Sequence, residues 1–212
     1  MKITKFVHSC VFVEHQGKTV LFDPGIFSWN SGKFKIDSIQ SLDAVVVSHK
    51  HPDHCGEAFI RALIEKFPAV QWFAPADAHE DLKSWGAQNI TDQSAGDVKT
   101  IEVNHAPVLP FGIEVHNLVS HWSDLITHPG DTHDLSETRD VLLLPVQAPW
   151  GTTIRAIELA KALKPKYILP IHDWMWNEQW RETSYDRFES IFADTDITFL
   201  RPTDGETIEI EV

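Results

Sequence analysis

Four side chains able to hold a metal ion fall within six consecutive residues of this 212-residue chain, in the run His49-Lys50-His51-Pro52-Asp53-His54. The run follows Ala44-Val45-Val46-Val47-Ser48, an apolar stretch that reads as a buried strand. If the backbone stays extended just past the strand end, His49 and His51 project to one side, because side chains two apart share a face, and one ion could take both. Pro52 restrains His51 to extended backbone and suits the first position of a helix, which turns Asp53 and His54 back toward a second point nearby. The spacing therefore predicts two adjacent metal ions. With twelve histidines in the chain, one His-x-His pair would carry little weight. Three histidines and an aspartate in this order, between a β-branched strand and a helix-like segment, carry much more.

More metal-competent residues sit at the ends of other apolar stretches. His105 follows Lys99 to Val103, Asp131 lies in His128-Pro129-Gly130-Asp131, and His172 ends the run Tyr167 to Ile171. His49, His105, Asp131 and His172 thus follow the carboxyl ends of separate strands, where ligand sites of α/β sheets gather. For a third histidine beside His49 and His51, three candidates stand: His105, His116 inside a predicted strand Gly112 to Val119, and His121 at that strand's turn. A satisfied surface role is the default for His116 and His121. His128 and His133 flank Asp131 and could hold a ligand, contact substrate or face solvent.

The order His49, His51, Asp53, His54 resembles the His-x-His-x-Asp-His signature of the metallo-β-lactamase superfamily. The opening, with His8-Ser9-Cys10 and Phe22-Asp23-Pro24-Gly25, is similar to the branch of small metal-dependent hydrolases that includes ascorbate-phosphate lactonase-like proteins. The resemblance implies an α/β fold, the four-layer αββα sandwich, formed as a single domain over residues 1–212. It implies His49, His51 and His105 on one metal, Asp53, His54 and His172 on the other, and Asp131 bridging. It further implies a metal-dependent hydrolase in which a dinuclear metal-bound hydroxide cleaves a small ester, lactone or phosphoester. Asp53 and Asp131 would be its catalytic carboxylates, with Asp53 assisting proton transfer to the leaving group. Nitrogen-rich donors suit zinc best, with manganese or iron as alternatives.

Composition bounds the rest. A formal charge of −13 and a pI near 5.3 argue against a basic nucleic-acid surface and so against a nucleic-acid phosphodiesterase of the same superfamily. The expected partner is a small-molecule substrate. Two cysteines are too few for a disulfide scaffold, no charged-then-apolar leader opens the chain, and no apolar run approaches a bilayer span, so a cytoplasmic, membrane-free protein is expected. An aromatic surface would allow a homo-oligomer. A non-catalytic metal protein is disfavoured, since a structural zinc site fills four positions with protein ligands, whereas a bridged pair leaves room for water. No Gly-x-Ser-x-Gly elbow appears, and Cys55 reads as a small packed residue.

The elements that must position these groups alternate strand and helix. Strands are expected at Ile3 to Val7, Val11 to Glu14 and Thr19 to Phe22, with a turn at Gln16-Gly17, then an aromatic loop over Ile26 to Asn30. In the resembling family that loop lies over the active site; Phe27 and Trp29 could equally anchor it to the core. Helices are expected over Gly56 to Lys66, Pro75 to Trp85, Thr153 to Leu163 and Glu178 to Phe192, and closing strands at Ile197 to Leu200 and Thr207 to Val212 joined by a hairpin at Asp204-Gly205. Trp29, Trp150, Trp174, Trp176 and Trp180 could wall a pocket near the metals or pack the C-terminal helix.

Overall fold

The strands that lead into the metal-competent residues are apolar on both faces, and this dictates the layering. In β2 (Val11–His15), Val11 and Val13 point one way and Phe12 the other; in β3 (Lys18–Phe22), Val20 and Phe22 oppose Leu21. The same period-two division separates Val46 from Val45 in β4 (Ala44–Val46), Leu143 from Leu142 in β10 (Val141–Pro145) and Leu169 from Ile168 in β11 (Tyr167–Ile171). Strands buried on both faces need a layer on each side. The computed structural model, which describes residues 1–108 and 115–212, supplies them as helices, two sheets, and helices again.

The first sheet has the order β13-β1-β2-β3-β4-β5-β6, with β1 (Lys2–Lys5), β5 (Gln71–Phe73), β6 (Ile90–Thr91) and β13 (Thr207–Glu209). Pairing is antiparallel from β13 to β3 and parallel from β3 to β6. Gln16 and Gly17, at φ 49° and 77°, make the two-residue turn between β2 and β3 in the left-handed region that such hairpins need. The second sheet has the order β12-β11-β10-β9-β8-β7, with β7 (Val98–Asn104), β8 (His116–Trp122), β9 (Ile126–His128) and β12 (Thr198–Phe199). It is antiparallel through β7, β8 and β9, and parallel from β9 to β12.

Ile3, Val13, Phe22, Val46, Phe73, Leu143 and Leu169 fill the space between the sheets. Helices α1 (Ile26–Ser31), α2 (Glu57–Lys66) and α3 (His79–Trp85) belong to the first sheet's outer layer, where Phe59, Ile60, Leu63 and Leu82 meet Phe12, Leu21 and Val45. Helices α4 (Thr153–Leu163) and α5 (Glu178–Phe192) cover the second, with Ala156, Ala160, Tyr185 and Phe188 against Leu142 and Leu144. Thr152 caps α4 and Asn177 caps α5, each side chain accepting a first-turn backbone N–H. The arrangement is the expected four-layer αββα sandwich.

Local expectations fail in four places. Ile26 to Asn30 is not a loop but most of α1, with Gly25 at its N-cap and Gly32, at φ 67°, ending it after six residues. Pro75 to Trp85 is broken into a 3-10 turn, Ala76–Ala78, followed by α3. The strand expected over Gly112 to Val119 is β8, shifted later; Gly112 to Glu114 lie outside the described residues, and His121 is inside the strand because the turn falls at Ser123 and Asp124, both at positive φ. The closing strands are not a hairpin: β12 pairs with β11 in one sheet and β13 with β1 in the other. Between them Asp204 is pinned by Lys5 and Arg181 at 2.8 Å each, so the chain crosses from sheet to sheet there.

Among the described residues no helix is long and apolar enough to cross a membrane. Leu143 is fully buried between the sheets. Leu143→Ala is expected to cost about 2–5 kcal/mol, read as a lower urea midpoint at unchanged slope.

Candidate metal centre

The ends of β3 and β4 lie side by side, with Phe22 paired to Val46, and this juxtaposition builds the first part of the site. One residue past β3, Asp23 is fully buried and takes a left-handed backbone, φ 46°. Its Oδ1 accepts the Ser48 backbone N–H at 2.7 Å, and its Oδ2 accepts Ser48 Oγ at 2.8 Å and His54 Nδ1 at 2.6 Å. Because Ser48 Oγ donates to Asp23, it is free to accept from His49 Nδ1, 3.0 Å away. One carboxylate therefore sets the tautomer of two histidines, placing the proton on Nδ1 and leaving each Nε2 bare. His128 continues the network: its Nδ1 accepts the Gly130 N–H at 2.9 Å, and its Nε2 lies 3.2 Å from Asp23 Oδ2.

The other histidines are fixed in the same sense. His105, one residue past β7, has Nδ1 2.6 Å from the Ala106 carbonyl, and His172, one residue past β11, has Nδ1 2.7 Å from the Gln147 carbonyl. All the bare Nε2 atoms face Asp131. His54 Nε2 is 3.3 Å from its Oδ1; His105 and His172 are each 3.2 Å and His49 3.9 Å from its Oδ2. Asp131 is held by its own N–H on Asn117 Oδ1 at 2.9 Å and by Trp150, whose indole N–H donates to Oδ2 at 2.9 Å. Gly130 is required before it: φ is 62°, and a Cβ there would meet Asn117 Oδ1 at 2.0 Å.

His49, His51 and His105 offer donors within 4.8 Å of one another, as do His49, His54 and Asp131, and also His8, Asp53, His54 and His172. The seven residues expected from sequence thus come together. The structure brings in His105 rather than His116, which is exposed and paired with Glu102, or His121, whose Nδ1 is 2.9 Å from Thr127 Oγ1. His121 is buried, not on the surface as expected. His133 reaches the Pro145 carbonyl at 2.8 Å and stands edge-on to Trp150.

Asp23, Asn117 and His8 are participants to which the sequence assigned no role, while Trp150, expected near the metals, takes part by donating to Asp131. Asp23-Pro24-Gly25 reads as a turn, and the available signal was the acid directly ending an apolar strand beside the strand that delivers His49. Gly25 belongs to the same construction, since a Cβ on it would coincide with the Asp53 carbonyl, 1.6 Å away.

The buried Nε2 atoms of His49, His54 and His105 and Oδ1 of Asp131 have no hydrogen-bond partner. Such groups are costly to bury unpaired, and four converging on one point fit divalent metal. In the metal-free chain a proton takes that place. Burial opposes charge on His54, but Asp131, Asp23 and Asp53 prevail and raise it to about 10. Burial would likewise raise Asp131 and Asp23, yet the surrounding histidines hold both below the usual carboxylate range. Burial, reinforced by the neighbouring histidines His54 and His105, keeps His49 well below its ordinary value, and burial with His172 and His54 nearby takes His8 down to about 4 against the pull of Asp53.

A family description for "Beta-lactamase superfamily domain" matches residues 2–172, and the chain belongs to that superfamily. It is 32% identical over 182 residues to Protein Rv0786c of Mycobacterium tuberculosis, covering 81% of this chain and 84% of that one. A UPF0173 metal-dependent hydrolase of Carboxydothermus hydrogenoformans is 27% identical over 197 residues, covering 83% and 86%. Among solved structures, Igni18, a metallo hydrolase from Ignicoccus hospitalis, superposes with a TM-score of 0.71 at 22% identity, covering all of this chain and 98% of that one.

Asp23→Asn cannot satisfy all of the donors that converge on Asp23, and is expected to weaken metal binding by about 10–100-fold in chelator competition. The His54 proton gives a second expectation. Its value in the fold lies above the unfolded 6.5, so the pairing stabilises the metal-free fold fully below pH 6.5 and is lost as pH rises through about 10. Metal must displace that proton, so affinity should climb about tenfold per pH unit across pH 7–9; a flat profile in the same competition assay contradicts it.

Proposed function

We propose that this protein is a metal-dependent hydrolase with two divalent ions at adjacent positions, one held by His49, His51 and His105, the other by Asp53, His54 and His172, with Asp131 between them. The observation that carries this reading is the convergence of bare, buried imidazole Nε2 atoms on the single carboxylate of Asp131. The name of the Carboxydothermus relative supports it. A nitrogen-rich donor set favours zinc, with manganese or iron as alternatives. When bound, such a pair would lower the pKa of water toward about 7 and stabilise negative charge developing on a carbonyl or phosphoryl oxygen.

The chain's own residues do the rest. Asp131 would serve both positions, and Asn117 and Trp150 hold it: Asn117 Oδ1 accepts its backbone N–H and the Trp150 indole N–H donates to its Oδ2. Asp53 is the more open of the two carboxylates, its side chain 26% exposed against 5% for Asp131, and on this reading it is the one that passes a proton to a leaving group. A cavity of about 400 Å³ opens beside His51 and His105 and is walled by Ala106, Pro107, Val108 and Val115, a space for a small substrate with an apolar portion. Lys50, the cation at its edge, is 3.2 Å from Asp77. With a net charge of −13, this favours a small ester, lactone or simple phosphoester over a nucleic acid. Free, buried Cys10 and Cys55 accord with a cytoplasmic setting.

Elemental analysis of protein purified without added metal is expected to give about two ions per chain, falling to one or fewer in His105→Ala and Asp131→Ala. The native protein should hydrolyse at least one of a nitrophenyl ester, a simple lactone and a nitrophenyl phosphodiester, with activity abolished by chelator. A chain that holds no metal after reloading with zinc or manganese, or that is inert on the whole panel, overturns the reading.

A further inference from the structure

His8 lies far from the other site residues in sequence and is only 2% exposed. It sits in the turn between β1 and β2, closed by Phe6 N–H on the Cys10 carbonyl at 2.8 Å, with its own φ at 68°. A non-glycine residue in that region is strained, and such strain persists only where surrounding contacts enforce it. Two contacts do so. The His8 carbonyl accepts the backbone N–H of His172 at 3.3 Å, and His8 Nε2 lies 3.1 Å from Asp53 Oδ2. The ring is also 4.0 Å, centroid to centroid, from that of His172 and edge-on to Phe27.

The ring's protonation pattern separates it from its neighbours. His54, His105 and His172 each spend Nδ1 on a fixed carbonyl or carboxylate acceptor and leave Nε2 toward Asp131. His8 is the reverse, with Nε2 on a carboxylate and Nδ1 buried without a partner. An imidazole binding metal through Nε2 must carry its proton on Nδ1, which here would be a buried donor with no acceptor. A proton on Nε2, donated to Asp53, leaves only a lone pair unmet.

Resting on the two-metal reading above, we propose that His8 is a positioning residue of the second metal position: its Nε2–H fixes the carboxylate of Asp53 while its carbonyl fixes His172. Asp53 needs such a hold. It lies in the tight turn after Pro52, closed by His54 and Cys55 N–H groups on the His51 carbonyl, and its side chain is partly open to solvent. Without His8 the carboxylate is free to rotate outward. The first position, His49, His51 and His105, has no contact with His8 and does not depend on it.

The test compares His8→Ala with His8→Gln, whose amide N–H reaches about as far as Nε2; both keep a side chain on the strained backbone, so that cost cancels. Both metal affinities are measured by competition with a chromophoric chelator, and the visible spectrum is recorded with cobalt. The alanine variant is expected to lose about 10–100-fold in affinity at one position only, with an altered cobalt spectrum there, and glutamine to restore most of the loss. Unchanged affinities in His8→Ala overturn the proposal. So does an equal loss at both positions, which marks a general structural role, and so does failure of glutamine to rescue, which makes the ring nitrogen a ligand. If the alanine variant does not fold, His8→Leu replaces it as the non-donor of similar size. The native chain's metal content and chelator-sensitive turnover test the hydrolase reading separately, so either can fail without the other.

Discussion

The structure turns on a carboxylate that has no access to water. Asp23 is fully buried, and an ionised carboxylate there is tolerable only if its lone pairs are filled. Ser48 and His54 fill them, and both belong to the stretch that carries the metal-competent residues. The cost of burying Asp23 unpaired therefore locks the loop after β4 into one conformation. The same bonds put the protons of His49 and His54 on Nδ1, so one buried charge fixes both backbone path and ligand tautomer.

Strain and rigidity gather at the same place. Asp23, His8 and His172 all adopt positive φ, and Gly25 and Gly130 stand where a Cβ would strike backbone or a close side chain. Each lies at a point where two segments distant in sequence approach closely. Behind His172, the next residue Asp173 accepts from buried Lys5 at about 3 Å and from the Tyr185 hydroxyl, so the strand end is tied to β1 on one side and α5 on the other. Positive φ also occurs in ordinary turns such as Gln16-Gly17 and Ser123-Asp124, but at the rim where the strand ends deliver their donors it falls on residues of the site itself.

The aromatic residues divide between core and rim in a way that follows from their neighbours. Trp29 packs on Phe59 under the first sheet. Phe27, on the other side of the same short helix, stacks in parallel on Trp174 at 3.8 Å, two residues beyond His172. Trp150 faces His105 and His172 while donating to Asp131. Trp174 and Trp150 therefore flank the cluster, whereas Trp176 packs against the core beneath α4 and α5.

Much of this was legible in the sequence. The apolar runs Ala44 to Val47 and Tyr167 to Ile171 read as buried strands, and His49 and His172, which follow them, are among the site's donors. The bounds of α4 and α5 were legible because Thr152 and Asn177 cap them locally. These features depend on neighbours a few residues away, so the sequence determines them by itself. Tertiary structure decided what depends on distant partners: which of His105, His116 and His121 meets Asp131, that Asp23 is a buried clamp rather than a turn residue, and that His8 reaches Asp53. It also sent β12 and β13 to different sheets, because Asp204 is held by Lys5 and Arg181 across the fold. No local pattern encodes these contacts; they exist only once two sheets have packed and brought their strand ends to one edge.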